Sequence, residues 1–306
     1  MRRTLGAIGR VLVTVGILLL LFVAYQLWGT GIYQARQQDH LRSQFEHSLQ
    51  QAATPTTTPA SSTPTTTLPA TATTLAPITV PAGGNALAII SIPKIGVNQV
   101  VVEGVDVDDL RKGPGHYPFT QLPGHAGNTA IAGHRTTYGA PFGDLDQLNA
   151  GDRITVTTVQ GKFTYQVTSQ LVVDPSDVSV LDSTPDPAQP GTNLATLTLT
   201  TCNPKYSASQ RLVVKSSLVL QDGTQALPAV ATPKHVSESI DGLSGETSSR
   251  TPTIIWAVIV AIIGLLWWLA FHRHPRWPTW IVGAVPFLVA LFFCYSYLER
   301  LLPSNY

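Results

Sequence analysis

Cysteine and charge are both scarce in this 306-residue chain. It has two cysteines, Cys202 and Cys294, and Asp, Glu, Lys and Arg together make up 12% of it. A disulfide framework is excluded, because Cys294 lies within an uncharged apolar run and leaves Cys202 without a suitable partner. The charges nearly cancel, to +1 at neutral pH. No basic run has aromatic residues interleaved on a face, so the sequence offers no nucleic-acid surface. Internal repeats are missing as well.

Three long runs carry no charge at all: 11–28, 251–271 and 277–298. At about 1.5 Å per residue each crosses or nearly crosses a hydrocarbon core of ~30 Å. The first follows Arg2, Arg3 and Arg10. It is followed by bulky Tyr25, Gln26, Leu27 and Trp28 rather than a small-residue cleavage site, so it reads as an uncleaved anchor. Arg273 and Arg276 sit in the short loop 272–276. The preference of basic residues for the cytoplasmic side then puts 1–10 and 272–276 inside, and 29–250 and the tail 299–306 outside. Three transmembrane helices and a multi-pass protein of the cell membrane are expected. Cys294 reads as a packing residue within the third span.

Between the spans the composition changes twice. Residues 29–52 are polar with spaced apolar positions and read as an extension of the first helix. The segment 53–84 is dominated by Thr and Pro, cannot build a core, and reads as an extended stalk that lifts a domain off the membrane. Its Thr-Pro density also makes it a candidate for O-glycosylation. A compact domain is expected over 85–222, followed by a polar linker, 223–250. Within the domain, short β-type runs recur at 87–92, 97–103, 129–133, 153–158, 163–173, 194–201 and 211–220. Gly, Pro, Asp and Asn fill the connections, and single helical turns suit 107–111, 142–148 and 177–181. Seven or eight short strands in one domain predict a closed or sandwiched, mainly β architecture.

The chemistry concentrates around Cys202. In the strand 194–201 Leu197 and Leu199 face one way and Thr198 and Thr200 the other. Continued by two residues, that alternation puts Cys202 on the threonine face, expected to border a groove. Asn203-Pro204 stops the strand, and a returning hairpin brings Arg211 near the thiol. His134 lies sixty-eight residues upstream, in Gly133-His134-Arg135. A thiolate is the nucleophile, and a histidine can stabilise it and protonate a leaving amine. Arginine stays charged, so it cannot be the base; its planar donors suit an oxyanion or a substrate carbonyl. Together these residues suit acyl transfer through a thioester.

Thr198-Leu199-Thr200-Thr201-Cys202, with an upstream Gly-His and Arg211 on the next strand, resembles the signature of the sortase family of cysteine transpeptidases. The stretches 132–142 (AGHRTTYGAPF) and 113–117 (GPGHY) are most similar to class E, the housekeeping type of high-GC Gram-positive bacteria. The resemblance covers about 85–222 and implies a closed sortase-type β-barrel of seven to eight strands with short helices. It implies Cys202 as nucleophile, His134 as general acid/base and Arg211 as oxyanion or substrate clamp. Thr201 is expected to lend contacts beside the nucleophile, and Tyr117 and Tyr138 are candidates to line the substrate groove. The implied reaction cleaves a C-terminal sorting motif (LAxTG- or LPxTG-like) between Thr and Gly. The implied partners are secreted proteins carrying that signal and an amine of a peptidoglycan precursor or lipid II.

Other readings remain open. The C-terminal hairpin departs from a single N-terminal anchor and admits a pilus-polymerising sortase, although no Asp-Pro-x-aromatic lid motif precedes residue 87. A non-catalytic module binding sorting peptides or membrane partners has no need of a thiol. An L,D-transpeptidase calls for a different setting around its cysteine, since Cys202 is followed by Asn-Pro-Lys. No cofactor or metal is called for: His116, His125 and His134 are spaced nine and nine apart, which matches no common zinc signature. His116 and His125 read as turn or surface residues, and Asp106, Asp108 and Asp109 as a solvated helix start.

Overall fold

The structure, a computed structural model, describes residues 2–53, 80–185, 191, 193–219, 226–230, 250–271 and 277–299. Eight strands close into a barrel: β1 (Ala86–Ile92), β2 (Val97–Glu103), β3 (Gly115–His116), β4 (Gly127–Ala132), β5 (Arg153–Thr158), β6 (Gly161–Val173), β7 (Ala195–Asn203) and β8 (Gln210–Leu218), in the order β1-β2-β3-β4-β7-β8-β6-β5. Seven coincide with the expected runs. The eighth, β3, is two residues long and bridges β2 and β4 through a parallel and an antiparallel pairing. Two residues carry no alternation, so this strand leaves no mark in a hydrophobic pattern.

The barrel core is built from inward-facing aliphatic and aromatic side chains, among them Ile90, Ile131, Ile154, Tyr165, Leu197 and Leu199. A second cluster lies on the other face of β4, β7 and β8, where Val105, Leu110, Tyr117, Val180, Leu181 and Cys202 pack together. The short helix α3 (Val107–Leu110) and a 3-10 turn at Val178–Leu181 supply this outer layer. The threonine face of β7 is therefore covered rather than bordering an open groove: Thr198 and Thr200 are each 1% exposed. Amphipathic alternation marks the inner face, but the cover comes from segments distant in sequence.

Helix α1 (Arg2–Ala24) runs through a π-helical turn, Tyr25–Gly29, into α2 (Thr30–Ala53). α2 is docked on the barrel. Leu41 is buried against Val100 and Val102, and the Gln38 side chain brackets β2, accepting from Val100 N–H at 2.7 Å and donating to Val100 O at 3.0 Å. Gln34 donates to Gln99 at 2.9 Å. α2 thus ties α1 to the barrel directly. The Thr/Pro residues 54–79 lie outside the described residues and connect two elements that both already rest on the barrel.

Helices α4 (Thr251–Phe271) and α5 (Trp277–Leu298) form a hairpin, with Trp256 stacked on Phe293 at 4.8 Å and Thr253 Oγ1 donating to Tyr297 O at 3.0 Å. α5 also touches α1, where the Phe22 and Tyr295 rings meet edge-on at 5.1 Å. Among the described residues, one helix, Thr251–Ala270, is long and apolar enough to cross a membrane by length and composition; the apolar stretches Leu12–Ala24 and Val282–Leu298 are shorter. The loop 272–276 and most of the linker 223–250 lie outside the described residues.

Three further expectations are corrected by burial. His116 is 1% exposed, with Nδ1 2.8 Å from a Glu103 carboxylate oxygen. His125 is buried and reaches Gln160 at 2.9 Å. Asp109 is not a solvated helix start: it is buried and pairs with Lys112 at 3.2 Å, and burial pushes its carboxyl above the usual range. Each is a polar residue enclosed by elements distant in sequence, a burial that local composition does not report.

Candidate active site

Strand pairing brings the three expected residues together. The antiparallel register of β7 and β8 sets Cys202 opposite Arg211. The parallel register of β4 and β7 sets Ala132 opposite Thr200, and Gly133 N–H donates to Thr200 O at 3.0 Å. β4 ends at Ala132, and Arg135 Nη1, two residues past Gly133, donates to Cys202 O at 2.9 Å, so the segment carrying His134 stays against the end of β7. Cys202 is therefore flanked by Arg211 on β8 and by the segment that carries His134. The Thr201 hydroxyl donates to Gly133 O at 2.7 Å, tying the two strand ends just before the histidine. Gly133 itself admits no side chain, since a Cβ there would fall 2.6 Å from the Phe142 ring.

All three groups are buried: His134 and Arg211 are 2% exposed and Cys202 is 3% exposed. The His134 Nδ1 lies 3.3 Å from Thr137 Oγ1, and Nε2 is buried with no hydrogen-bond partner among the described residues. Burial, reinforced by the Arg111 cation, pushes the imidazole down to about 3. His134 is therefore neutral at neutral pH, with a ring nitrogen left to exchange a proton. Arg211 Nη1 donates to the carbonyls of Ala208 and Gln210, each at 3.0 Å, which fixes the guanidinium at the start of β8.

Tyr117 and Tyr138, expected beside a substrate groove, are as buried as the other candidate residues, at 2% and 4% exposure. The Tyr117 hydroxyl lies 3.2 Å from Thr200 Oγ1, within electrostatic reach of both Cys202 and Arg211, and burial raises its pKa. A cavity of about 370 Å³ lies near it, lined by Phe119, Thr120, Asn128, Leu181 and Ser183 among others, and shares Leu181 with the cluster around Cys202. Tyr138 sits on the loop after His134, its ring 5.1 Å from the imidazole and tilted by 36°. Its φ of 49° is a left-handed conformation that a bulky residue rarely adopts. Its backbone N–H donates to the Thr30 hydroxyl of α2 at 3.3 Å, and the next residue, Gly139, has φ 72°.

Three charged residues escaped the sequence reading. Arg135 is buried and donates through Nη1 to Cys202 O at 2.9 Å and Asn203 Oδ1 at 2.8 Å, while Nη2 reaches Asp146 at 3.3 Å. It holds the backbone of Cys202. Arg111 donates through Nε to the Tyr138 hydroxyl at 2.7 Å and pairs through Nη2 with Glu299 at 3.0 Å. Arg135 adjoins His134 in sequence, so its position was a usable signal. Arg111 and Glu299 are 188 positions apart, and nothing local links them.

A family model described as "Sortase domain" matches residues 90–219. Sortase SrtE1 of Streptomyces coelicolor is 34% identical over 224 residues, which are 70% of this chain and 56% of that protein, so the chain spans little more than half of that relative's length. The putative sortase YwpE of Bacillus subtilis is 31% identical over 111 residues, covering 36% of this chain and 90% of the relative. A solved sortase E from Streptomyces avermitilis is 40% identical, with 45% of this chain and 91% of that chain covered and a TM-score of 0.40.

Proposed function

The chain belongs to the sortase family, and from that premise we propose that it is a membrane-anchored cysteine transpeptidase of class E type. The observation that carries this reading is the pairing of Cys202 with Arg211, beside the segment that carries His134. In the proposed reaction the Cys202 sulfur attacks the Thr carbonyl of an LAxTG- or LPxTG-like sorting motif. The C–N bond to Gly breaks, the Gly amine departs with a proton relayed by His134, and the acyl group remains as a thioester. An incoming cell-wall amine then forms a new C–N bond, the C–S bond breaks, and the amine's proton returns to the Cys–His pair. Arg211 supplies fixed positive charge where the tetrahedral oxygen develops.

A membrane location is supported by the apolar hairpin and by the contacts that bring α1 and α5 together. The basic residues favour an N-terminus inside, which leaves the barrel outside. The loop carrying His134 rests on Thr30, two residues past the proposed first span, and on Glu299, one residue past the third. Those contacts support a site close to the membrane surface, within reach of an amine on a lipid-linked peptidoglycan precursor. The 370 Å³ cavity beside Tyr117 offers space for part of the sorting peptide.

Mass spectrometry of the full chain in detergent tests the reading, using LAxTG and LPxTG peptides with and without diaminopimelate. A covalent adduct on Cys202 and release of the fragment beginning at Gly are expected, with both lost in Cys202→Ala at unchanged thermal stability. Transpeptidation retained in that variant would overturn the mechanism.

A further inference from the structure

Glu299 follows directly on α5 and is only 3% exposed. Its carboxylate meets several groups at once, Tyr25 of the π-helical turn among them. It accepts from the Tyr138 hydroxyl and pairs with Arg111, whose Nε in turn donates to the same Tyr138 oxygen. Carboxylate, phenol and guanidinium thus close a three-membered ring of polar contacts among buried side chains. The Arg111 guanidinium also lies over the Tyr138 ring at 5.3 Å and over Tyr33 of α2 at 5.4 Å. One face of Tyr138 is therefore pinned by residues from α3's end, from α2 and from α5.

The ring that these contacts fix is the one set against His134. Tyr138 holds a left-handed backbone, a conformation that persists only where its surroundings over-determine it. Glu299 further balances Arg111, a buried cation that by itself disfavours protonation of His134. A buried charge that loses its buried partner is strongly destabilising, and without Glu299 the Arg111 guanidinium would keep only the exposed Asp108, at 3.4 Å, as a charged partner among the described residues.

We propose that Glu299 is a positioning residue for the reaction, acting through Tyr138 and Arg111 on His134, so that the C-terminal hairpin forms part of the active site. The proposal rests on the transpeptidase reading for its kinetics but not for its geometry. The hairpin delivers one carboxylate to the back of the histidine loop, and the barrel's own residues leave Arg111 and Tyr138 to be closed by it.

The test is a double-mutant cycle on the full chain in detergent, read by acyl-enzyme formation and by alkylation of Cys202 with iodoacetamide, which needs no peptide. Glu299→Ala is expected to lower kcat about tenfold or more with KM within about threefold, and to change the alkylation rate, because His134 is misplaced while the peptide site is intact. Tyr138→Phe keeps the ring and cuts its bonds to Glu299 and Arg111. In that background Glu299→Ala should cost less than about threefold, since residues acting as one unit are non-additive. Fully additive losses, or Glu299→Ala with unchanged kcat and alkylation, would overturn the inference. If Glu299→Ala does not fold, Glu299→Gln replaces it in the same cycle. A wild-type chain that forms no acyl-enzyme would sink the transpeptidase reading and leave the alkylation cycle to decide this one.

Discussion

At His134, burial and charge act in the same direction. Both hold the imidazole near 3, against an ordinary value of 6.5. The fold therefore binds the neutral ring, while the unfolded chain takes up a proton below about pH 6.5. Stability from this group is full above that value and is lost as pH falls from about 6.5 toward 3, at a limiting slope of about 1.4 kcal/mol per pH unit for one proton. Urea midpoints of wild type and His134→Gln, measured from pH 7 to 4.5, should converge as the pH falls, with the wild type losing more. His116 and His125 are common to both proteins and cancel in the difference. Parallel curves would show that the ring is not held neutral. The nearness of Arg211 to Cys202 was legible in sequence, because a hairpin's return acts over a few residues; His134 was singled out by the family resemblance. Arg111 and Glu299 were not, since their meeting depends on a helix hairpin folding back over the barrel.

Among the elements, α2 departs furthest from its sequence reading. A polar helix beyond a membrane span reads as an exposed extension, and its apolar residues are too sparse to announce an interface. Yet Leu41 and Phe45 are 2% and 1% exposed, and two glutamines and an arginine, Gln34, Gln38 and Arg42, add hydrogen bonds to the barrel. Hydrogen-bonded docking of this kind is invisible to hydrophobic periodicity. Leu41→Ala should weaken it by about 2 kcal/mol, the low end for a buried leucine because a surface helix can settle into the gap. Trypsin cleavage after Arg36 and Arg42 should then accelerate about thirtyfold while the barrel stays intact, since local opening exposes α2 alone. Unchanged cleavage would mean that the α2 contacts contribute little. The barrel strands, by contrast, were found in sequence with bounds close to those observed, because alternation and turn residues are local signals. Only β3 was missed.

Across the whole molecule, these contacts change what the Thr/Pro segment can do. Its composition implies reach, and a chain of that kind can extend at about 3 Å per residue. Reach matters only if the segment is the sole link between membrane and barrel. Here α1 continues through Tyr25–Gly29 into α2, α2 is bonded to β2, and Glu299 at the end of the hairpin bonds Tyr138 and Arg111. The barrel is thus held near α1 and α5 from two sides, while residues 54–79 link α2 to β1 in sequence. Loop length enters stability only logarithmically. Removing half of that segment should therefore leave acyl transfer within about twofold of wild type in proteoliposomes carrying a lipid-linked amine acceptor. A rate that falls steadily with segment length would restore the stalk as a spacer and show that α2 and the hairpin release the barrel during turnover.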